Sequence, residues 1–420
     1  MPNLHKNFIS INCCRLCEST NIKNFVTFPS VPLGNNLQIN KEFSKKVEIY
    51  ELKVMRCFDC NHFQLSISVL PELLYATNYT YLSGIGLSFV THLKNYVDWV
   101  IKKSSLNSKK KVVVDIGSND GSCLKYFKES GFKVCGVDPA QKPAEIANNN
   151  GIFTINDFFD INVTEKIIKK FGQVDIVTSQ NVLAHVDNLL GVFKNIYKVL
   201  KMGGFFVFEV GYFKKVLETK CFDTIYHEHI DYHHANPLVQ VLVSLGFDVL
   251  DISENNIQGG SLRFLLQKNN IGGIKEQPKR FLDEEKKSIL YDDFKLKNWS
   301  SNIIKTMECF YELFLQCKSK DKVCFAYGAP TKASLLFKTS KLKEKDISFI
   351  VEDNDLKVGK FLPNTSIPIL SLESVDFKKE SIIIIFAWNF ANDIIKKLKE
   401  KYKVPATIII PLPNPRIVKI

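Results

Sequence analysis

Lys111-Val112-Val113-Val114-Asp115-Ile116-Gly117-Ser118-Asn119-Asp120-Gly121 decides the fold of this 420-residue chain. The apolar run from Lys111 to Asp115 predicts a buried strand ending in an acid, and a helix follows with Leu124 and Phe127 on one face. Gly117 and Gly121 let the backbone turn sharply and let a ligand approach the main chain. The spacing D-x-G-x-x-x-G differs from the G-x-G-x-x-G that seats a pyrophosphate on a helix N-terminus. A second strand, Lys133 to Val137, ends in Asp138, placed to bind both hydroxyls of a ribose. After the third strand come Asn156, Asp157, Phe158 and Phe159, suited to hold an adenine by polar contact and stacking. The fourth strand, Asp175 to Ser179, delivers Gln180 and Asn181 to the same crevice. Four strand-end features of this kind favour S-adenosylmethionine over a nicotinamide. The expected cofactor set is Asp115, Gly117, Ser118, Asn119, Gly121, Asp138, Asn156, Asp157, Phe158 and Gln180.

Working outward, three textures succeed one another. Residues 1–75 hold paired cysteines and short alternating runs such as Val47 to Leu52. Residues 76–284 alternate apolar strands with helical segments, as a parallel sheet requires. Residues 285–420 do so again, with expected strands at Val323 to Tyr327, Ile347 to Val351, Ile382 to Phe386 and Thr407 to Ile410. The charged stretch Lys275 to Lys287 reads as the junction. At 45% hydrophobic residues the chain can bury a sizeable core. Its net charge of +12 comes from lysines scattered among Asn and Ile, not from a basic arm, and signals a nucleic-acid partner only weakly.

Cys14-x2-Cys17 and Cys57-x2-Cys60 are two knuckles whose four thiolates can converge tetrahedrally on zinc. Such a closed site leaves no position for water, so the expected zinc is structural. The bland alternative is unrelated buried cysteines, and Cys13, directly before Cys14, offers a shifted register. The other six cysteines read as core filler. Met1 to Ser10 has no apolar run and no stretch is long enough to span a bilayer, so the reading is a reduced, cytoplasmic protein without a membrane partner.

Tyr226-His227-Glu228-His229-Ile230-Asp231-Tyr232-His233-His234 carries half of the eight histidines. The residue four after His227 is Asp231, so the H-E-x-x-H metal pattern fails. The cluster follows the fifth strand, Phe205 to Val210, and suits general acid–base work, with a polar core network as the alternative.

In these motifs the chain resembles the sugar C-methyltransferases, whose best-known members methylate C3 of TDP-linked 4-keto-deoxysugars. The likeness runs through Cys14-Arg15-Leu16-Cys17, Cys57 to Cys60 with Gln64-Leu65, Tyr79-Thr80-Tyr81-Leu82-Ser83-Gly84, the loop from Val114 to Gly121, Asn181 with His185, Tyr226-His227-Glu228-His229, Gly259-Gly260-Ser261-Leu262-Arg263, Ala326-Tyr327-Gly328-Ala329 and Ala387-Trp388-Asn389-Phe390. It implies an α/β architecture: a small N-terminal zinc-binding domain, a central class I Rossmann-like domain for S-adenosylmethionine, and a second Rossmann-like domain holding the sugar nucleotide. It also implies a nucleotide-linked keto-sugar substrate, His229 as base with Glu228 beside it, Tyr226 and Tyr81 lining the sugar site, and Asn181 and His185 nearby. Asp138, Ala184, Gln258 and the stretch after Gly328 depart from the usual pattern, which touches the choice of sugar and nucleotide base more than the reaction class. Lys332, at the start of an expected helix, is a candidate for the diphosphate, against an ordinary strand–helix turn. The rival functions are an O- or N-methyltransferase of another small molecule and a zinc-containing RNA-binding methyltransferase. The second is disfavoured because the N-terminal region lacks Arg clustered with aromatics. The chain is expected to work as a monomer, without nucleic acid.

Overall fold

The computed structural model describes residues 7–76, 82–84, 86–106, 108, 110–319, 322–375, 380–401 and 406–420. It forms two compact units, each discontinuous in sequence. The first comprises Met1–Asn24, Val54–Lys215 and Glu228–Asp292, and the second Phe25–Lys53, Val216–His227 and Asp293–Ile420. The expected division at 75 and 284 runs along the chain; compactness groups the same residues differently.

In the first unit, β1 (Ile49–Cys57) enters from Val54 onward and pairs antiparallel with β2 (Phe63–Leu65). Helix α1 (Leu87–Ser104) buries Leu93, Tyr96, Val97 and Val100, the i, i+3, i+4, i+7 pattern of a helix with one apolar face. Burying each such side chain contributes roughly 1.5–3 kcal/mol. A wound sheet follows: β3 (Val112–Ile116), α2 (Ser122–Glu129), β4 (Lys133–Val137), α3 (Gln141–Asn149), β5 (Thr154–Ile155), α4 (Ile161–Phe171), β6 (Val174–Gln180), α5 (Leu189–Val199) and β7 (Leu200–Gly211). The chain returns through β8 (Asp231–Tyr232), which pairs with β2, and α6 (Ala235–Ser244) to β9 (Phe247–Asn255) and β10 (Ser261–Lys268). The seven-stranded order is β9-β10-β7-β6-β3-β4-β5, with only β10 reversed against its neighbours. Strand order switches at β3, so the carboxyl ends of β3 and β6 border the crevice where ligands of open α/β sheets bind. β3 and most of β6 are wholly buried, which is why they read as continuous apolar runs.

The second unit holds the long helix α8 (Asp293–Cys317), then β11 (Val323–Tyr327), α9 (Ala333–Thr339), β12 (Ile350–Glu352), β13 (Ile369–Ser371), β14 (Ser381–Ile385), α10 (Ala391–Lys401), β15 (Ala406–Ile410) and β16 (Arg416–Lys419). Its order is β13-β12-β11-β14-β15-β16, parallel except for β16. This is the expected second Rossmann-like sheet, with its switch point between β11 and β14.

Within the stretch Lys275–Lys287, read as the junction, Glu276–Lys286 is a helix, α7, whose Glu285 is buried. One expectation is corrected. The six further cysteines are not uniformly core, since Cys309 is exposed and only Cys123 and Cys135 are fully buried. Among the described residues no helix is long and apolar enough to cross a membrane.

Candidate active site and zinc centre

The first turn after β3 folds back on β4. Gly117 and Ser118 both donate their N–H to Val137 O, at 2.8 and 3.1 Å. Gly117 has φ +69°, and a Cβ there would come within 2.2 Å of a Val182 methyl, so the position needs glycine on two counts. Asp138, buried at the end of β4, accepts from Asn119 N at 2.8 Å and Ala140 N at 2.9 Å. Burial holds its carboxyl above the usual range. Each oxygen keeps a lone pair for a further donor, such as a ribose hydroxyl. Ser83 N and Gly84 N donate to Asn119 Oδ1 and Asp120 Oδ2, so the segment before α1 is tied onto the loop.

Asp115 is also buried. Its Oδ1 accepts from Thr178 Oγ1 at 2.7 Å, and burial pushes its carboxyl up to about 7. Its place is inside the sheet, beneath the crevice. Ser118 packs under the loop, close to Gly136. Asn156 hangs from Asp138 O through its Nδ2 at 2.9 Å, while Asp157 and Phe158 are exposed beside it. An exposed Phe at a strand end is free to stack on a base. At the end of β6, Asn181 takes a left-handed φ of +54° and donates its N–H to Glu209 O. Gln180 Nε2 and Asn181 Nδ2 are buried and have no partner among the described residues. Buried orphan donors cost about 1–3 kcal/mol each, a cost that a polar ligand in the crevice removes. The loop, the acid and these donors therefore fit S-adenosylmethionine.

One network here escaped the sequence reading. Glu209, wholly buried on β7, accepts from His92 at 2.6 Å, Arg263 at 2.6 Å and Asn255 at 2.9 Å. Arg263 had stood out only as the end of a motif; the paired Glu209 lies inside an apolar strand, where a lone acid is the signal.

Asn181 leads through a single 3-10 turn, Leu183–His185, to His185. The imidazoles of His185 and His229 meet edge to face with centroids 4.8 Å apart. Ile230 N donates to Ala184 O at 2.7 Å, which locks the two segments together. Tyr75 Oη lies 3.2 Å from His185 Nδ1 and 3.3 Å from Glu228 O. Burial, helped by the charge of neighbouring His229, drops His185 to about 3, so it stays neutral at physiological pH. The expected residues Asn181, His185, Glu228 and His229 thus belong to one unit and the pairing of the two histidines is direct. Tyr226 belongs to the second unit. Tyr81, with Tyr79 and Thr80, lies outside the described residues. His227 goes elsewhere: buried, it bonds Glu51 O at 3.0 Å within the second unit. His233 is buried and pulled down to about 4 by burial, and His234 bonds Glu285 at 3.2 Å.

Cys14, Cys17, Cys57 and Cys60 bring their sulfurs within 4.8 Å of one another, with Cys14–Cys60 at 3.5 Å and Cys17–Cys57 at 3.6 Å. Tetrahedral Zn–S bonds imply sulfur separations of roughly 3.8 Å, so the four thiols fit the ion. A hydrogen bond from Cys60 brings Cys14 down to about 5, and burial lifts Cys17 to about 12. Cys13 is exposed and stands outside the cluster.

In the second unit, Asp223 is wholly buried and its Oδ2 accepts from Trp388 Nε1 at 2.5 Å and pairs with Lys332 Nζ at 3.0 Å. Lys332 also lies over the Trp388 ring and donates to Asn389 Oδ1 at 2.8 Å. Its charge is committed, and α9 has only seven residues, which weakens the expected diphosphate role of Lys332. Asp223 was not anticipated.

Three family models match in succession: "Putative zinc binding domain" over residues 14–75, "Methyltransferase domain" over 90–252, and "C-methyltransferase C-terminal domain" over 256–413. The C-methyltransferase NovU of Streptomyces niveus is 29% identical over 409 residues, 97% of both chains. A ubiquinone biosynthesis O-methyltransferase of Pseudomonas aeruginosa is 28% identical over 112 residues, 26% of this chain and 47% of its own. A solved S-adenosylmethionine-dependent methyltransferase from Mesorhizobium loti superposes with TM-score 0.34 and 15% identity, over 42% of this chain and 100% of that one.

Proposed function

We propose that the chain is an S-adenosylmethionine-dependent C-methyltransferase with a four-cysteine zinc site, and that it methylates the carbon beside the ketone of a nucleotide-diphosphate-linked 4-keto-deoxysugar. Bound S-adenosylmethionine supplies an electrophilic methyl group. The sugar carbon must be made nucleophilic, which a ketone permits by acidifying the adjacent C–H. A base removes that proton, and donors hold the charge that develops on oxygen. The observation that carries the reading is the facing pair His185 and His229 beside Asn181. His229 takes the proton. Neutral His185 flanks it without adding charge, oriented by Tyr75. Asn181 Nδ2, an orphan donor, is available to the enolate oxygen. Glu228 remains a neighbour of His229, and Tyr226 and Tyr81 are assigned to the sugar.

The division of labour follows the sequence reading: residues 1–75 hold zinc, 76–284 the cofactor, and 285–420 the nucleotide. In the cofactor part, Asp138 takes the ribose, Asn156, Asp157 and Phe158 the adenine, and the Gly117–Gly121 loop with Gln180 the remainder. Asp115 and Ser118 support that loop from below. Eleven cysteines without a disulfide suit a reducing cytoplasm. The test is a mass-spectrometric screen with S-adenosylmethionine and a panel of nucleotide 4-keto-sugars. A mass gain of one methyl on carbon, with loss of one exchangeable α-proton, is expected. Methylation only at oxygen or nitrogen would overturn the reading.

A further inference from the structure

Arg15 lies inside the first cysteine knuckle, between Cys14 and Cys17, yet its side chain is bonded not to the four sulfurs but to residues elsewhere in the first unit. Its Nε donates to buried Asp231 Oδ2 at 3.1 Å, and its Nη2 reaches the carbonyls of Val186 and Asp187. Those carbonyls follow His185 directly, and Asp231 stands two residues after His229. One guanidinium fork therefore grips both histidine-bearing segments. Its geometry suits this, because a planar, always-charged fork can serve a carboxylate and two carbonyls at once.

The second knuckle supplies the other half of the grip. Cys57 and Cys60 lead into β2, where Leu65 N donates to Ile230 O at 2.8 Å and the Asp231–Gln64 pair continues the ladder. Ile230 N in turn bonds Ala184 O. His62 bonds Asp231 Oδ1 at 2.8 Å, and Gln64 closes the circuit by accepting from Arg15 N and donating to Cys13 O. Asp187 is further fixed by Ser68 Oγ at 2.7 Å. We propose that the zinc knuckle is a positioning device for catalysis, with Arg15 the positioning residue that holds His185 and His229 in register. This rests on the assignment of that histidine pair under Proposed function.

The experiment uses zinc-loaded full-length Arg15→Ala and Arg15→Lys, with His229→Ala alongside. Three readouts are taken: zinc content, calorimetric affinity for S-adenosylhomocysteine, and kcat and KM on a TDP-4-keto-deoxysugar turned over by the parent. The expected result is about a 100-fold fall in kcat for Arg15→Ala, the size that follows a misplacement of about 1 Å. KM, zinc content and cofactor affinity should stay within about threefold. Arg15→Lys, which keeps the charge but not the fork, should lose nearly as much, and millimolar guanidinium should restore part of the Arg15→Ala rate. Histidine ring resonances of His185 and His229 should shift in both variants while that of His227 does not. The proposal falls if kcat is retained, if loss comes only with loss of zinc or cofactor binding, or if the His185 and His229 resonances stay in place. If Arg15 variants keep kcat while His229→Ala loses it, the coupling fails and the site assignment stands. If His229→Ala keeps kcat, the site assignment fails and takes the coupling with it.

Discussion

Replacing Gly117 by Ala tests whether the loop after β3 holds the cofactor. The residue sits at φ +69°, where an L side chain costs about 1–2 kcal/mol. The added Cβ would stand 2.2 Å from Val182 Cγ2 and 2.9 Å from Cγ1, far inside the roughly 3.5–4.0 Å of a comfortable carbon contact. Relieving such overpacking costs about 1–3 kcal/mol. Val182 follows Asn181, so the strain is passed to the second strand end of the crevice. If about 3 kcal/mol of this total falls on the cofactor-competent loop, affinity for S-adenosylhomocysteine drops on the order of 100-fold. Val182→Ala in the same chain removes both methyl contacts and leaves Val182 Cβ at 3.1 Å, so roughly tenfold of the loss should return. Titration calorimetry on the three proteins reads both numbers. Gly117→Ala binding within about threefold of the parent would refute the loop's assignment.

His229→Ala should lower turnover by roughly two to four orders of magnitude and abolish solvent exchange of the sugar's acidic C–H, with cofactor affinity unchanged. Near-normal turnover, with Tyr81→Phe inactive instead, would move the base to the tyrosine. Purified protein should carry about one zinc per chain, and Cys57→Ser should cost stability before chemistry; metal-free but fully stable protein would count against the site. Asp115 supplies the pH prediction. Its folded pKa of about 7 exceeds the ordinary 3.8, so the folded state keeps the proton longer. The stability this lends is fully present below 3.8 and lost as pH rises to about 7. The whole loss is about 4 kcal/mol, some 1.4 per pH unit. Urea midpoints followed by the fluorescence of Trp99, which packs on the first unit's core, should therefore fall between pH 5.5 and 7 relative to Asp115→Asn; parallel profiles would contradict it.

Strands were the most legible part of the fold, for a physical reason. A strand is apolar where both its faces are covered, so Lys133–Val137 and Val323–Tyr327, each buried over its last three residues, lie where the sequence places them. The strand expected from Ile347 starts instead at Ile350, because the turn Glu344–Asp346 occupies its approach. The helix Glu276–Lys286 was hidden by its own surface charge. Only one of its carboxylates faces inward, and nothing in a run of Asp, Glu and Lys marks which. Glu285 accepts from Ala235 N, Asn236 N, Asn236 Nδ2 and His234, and these donors hold it down to about 2. Its meaning depends on residues some fifty positions away, beyond the reach of any local pattern.

The histidine cluster shows the same limit from the other side. Density of chemistry in sequence suggested one site, but the backbone from Tyr226 to His234 is turn and short strand, so successive side chains diverge. His227 packs with Tyr50 and Glu51, His229 meets His185, His233 is sealed in the interior, and His234 secures Glu285. Two of the four, His227 and His234, are spent on hydrogen bonds that hold structure. What singles out His229 is that its ring meets a second imidazole, His185, in the 3-10 turn that follows β6 and Asn181. That coincidence joins residues forty-four apart, and the bond from Ile230 to Ala184 enforces it. Asp231, the residue that disqualified the metal motif, then acquires a purpose of its own. It gives Arg15 of the first cysteine knuckle a buried carboxylate two positions from His229, so the residue that breaks H-E-x-x-H is the one that ties the knuckle to this segment.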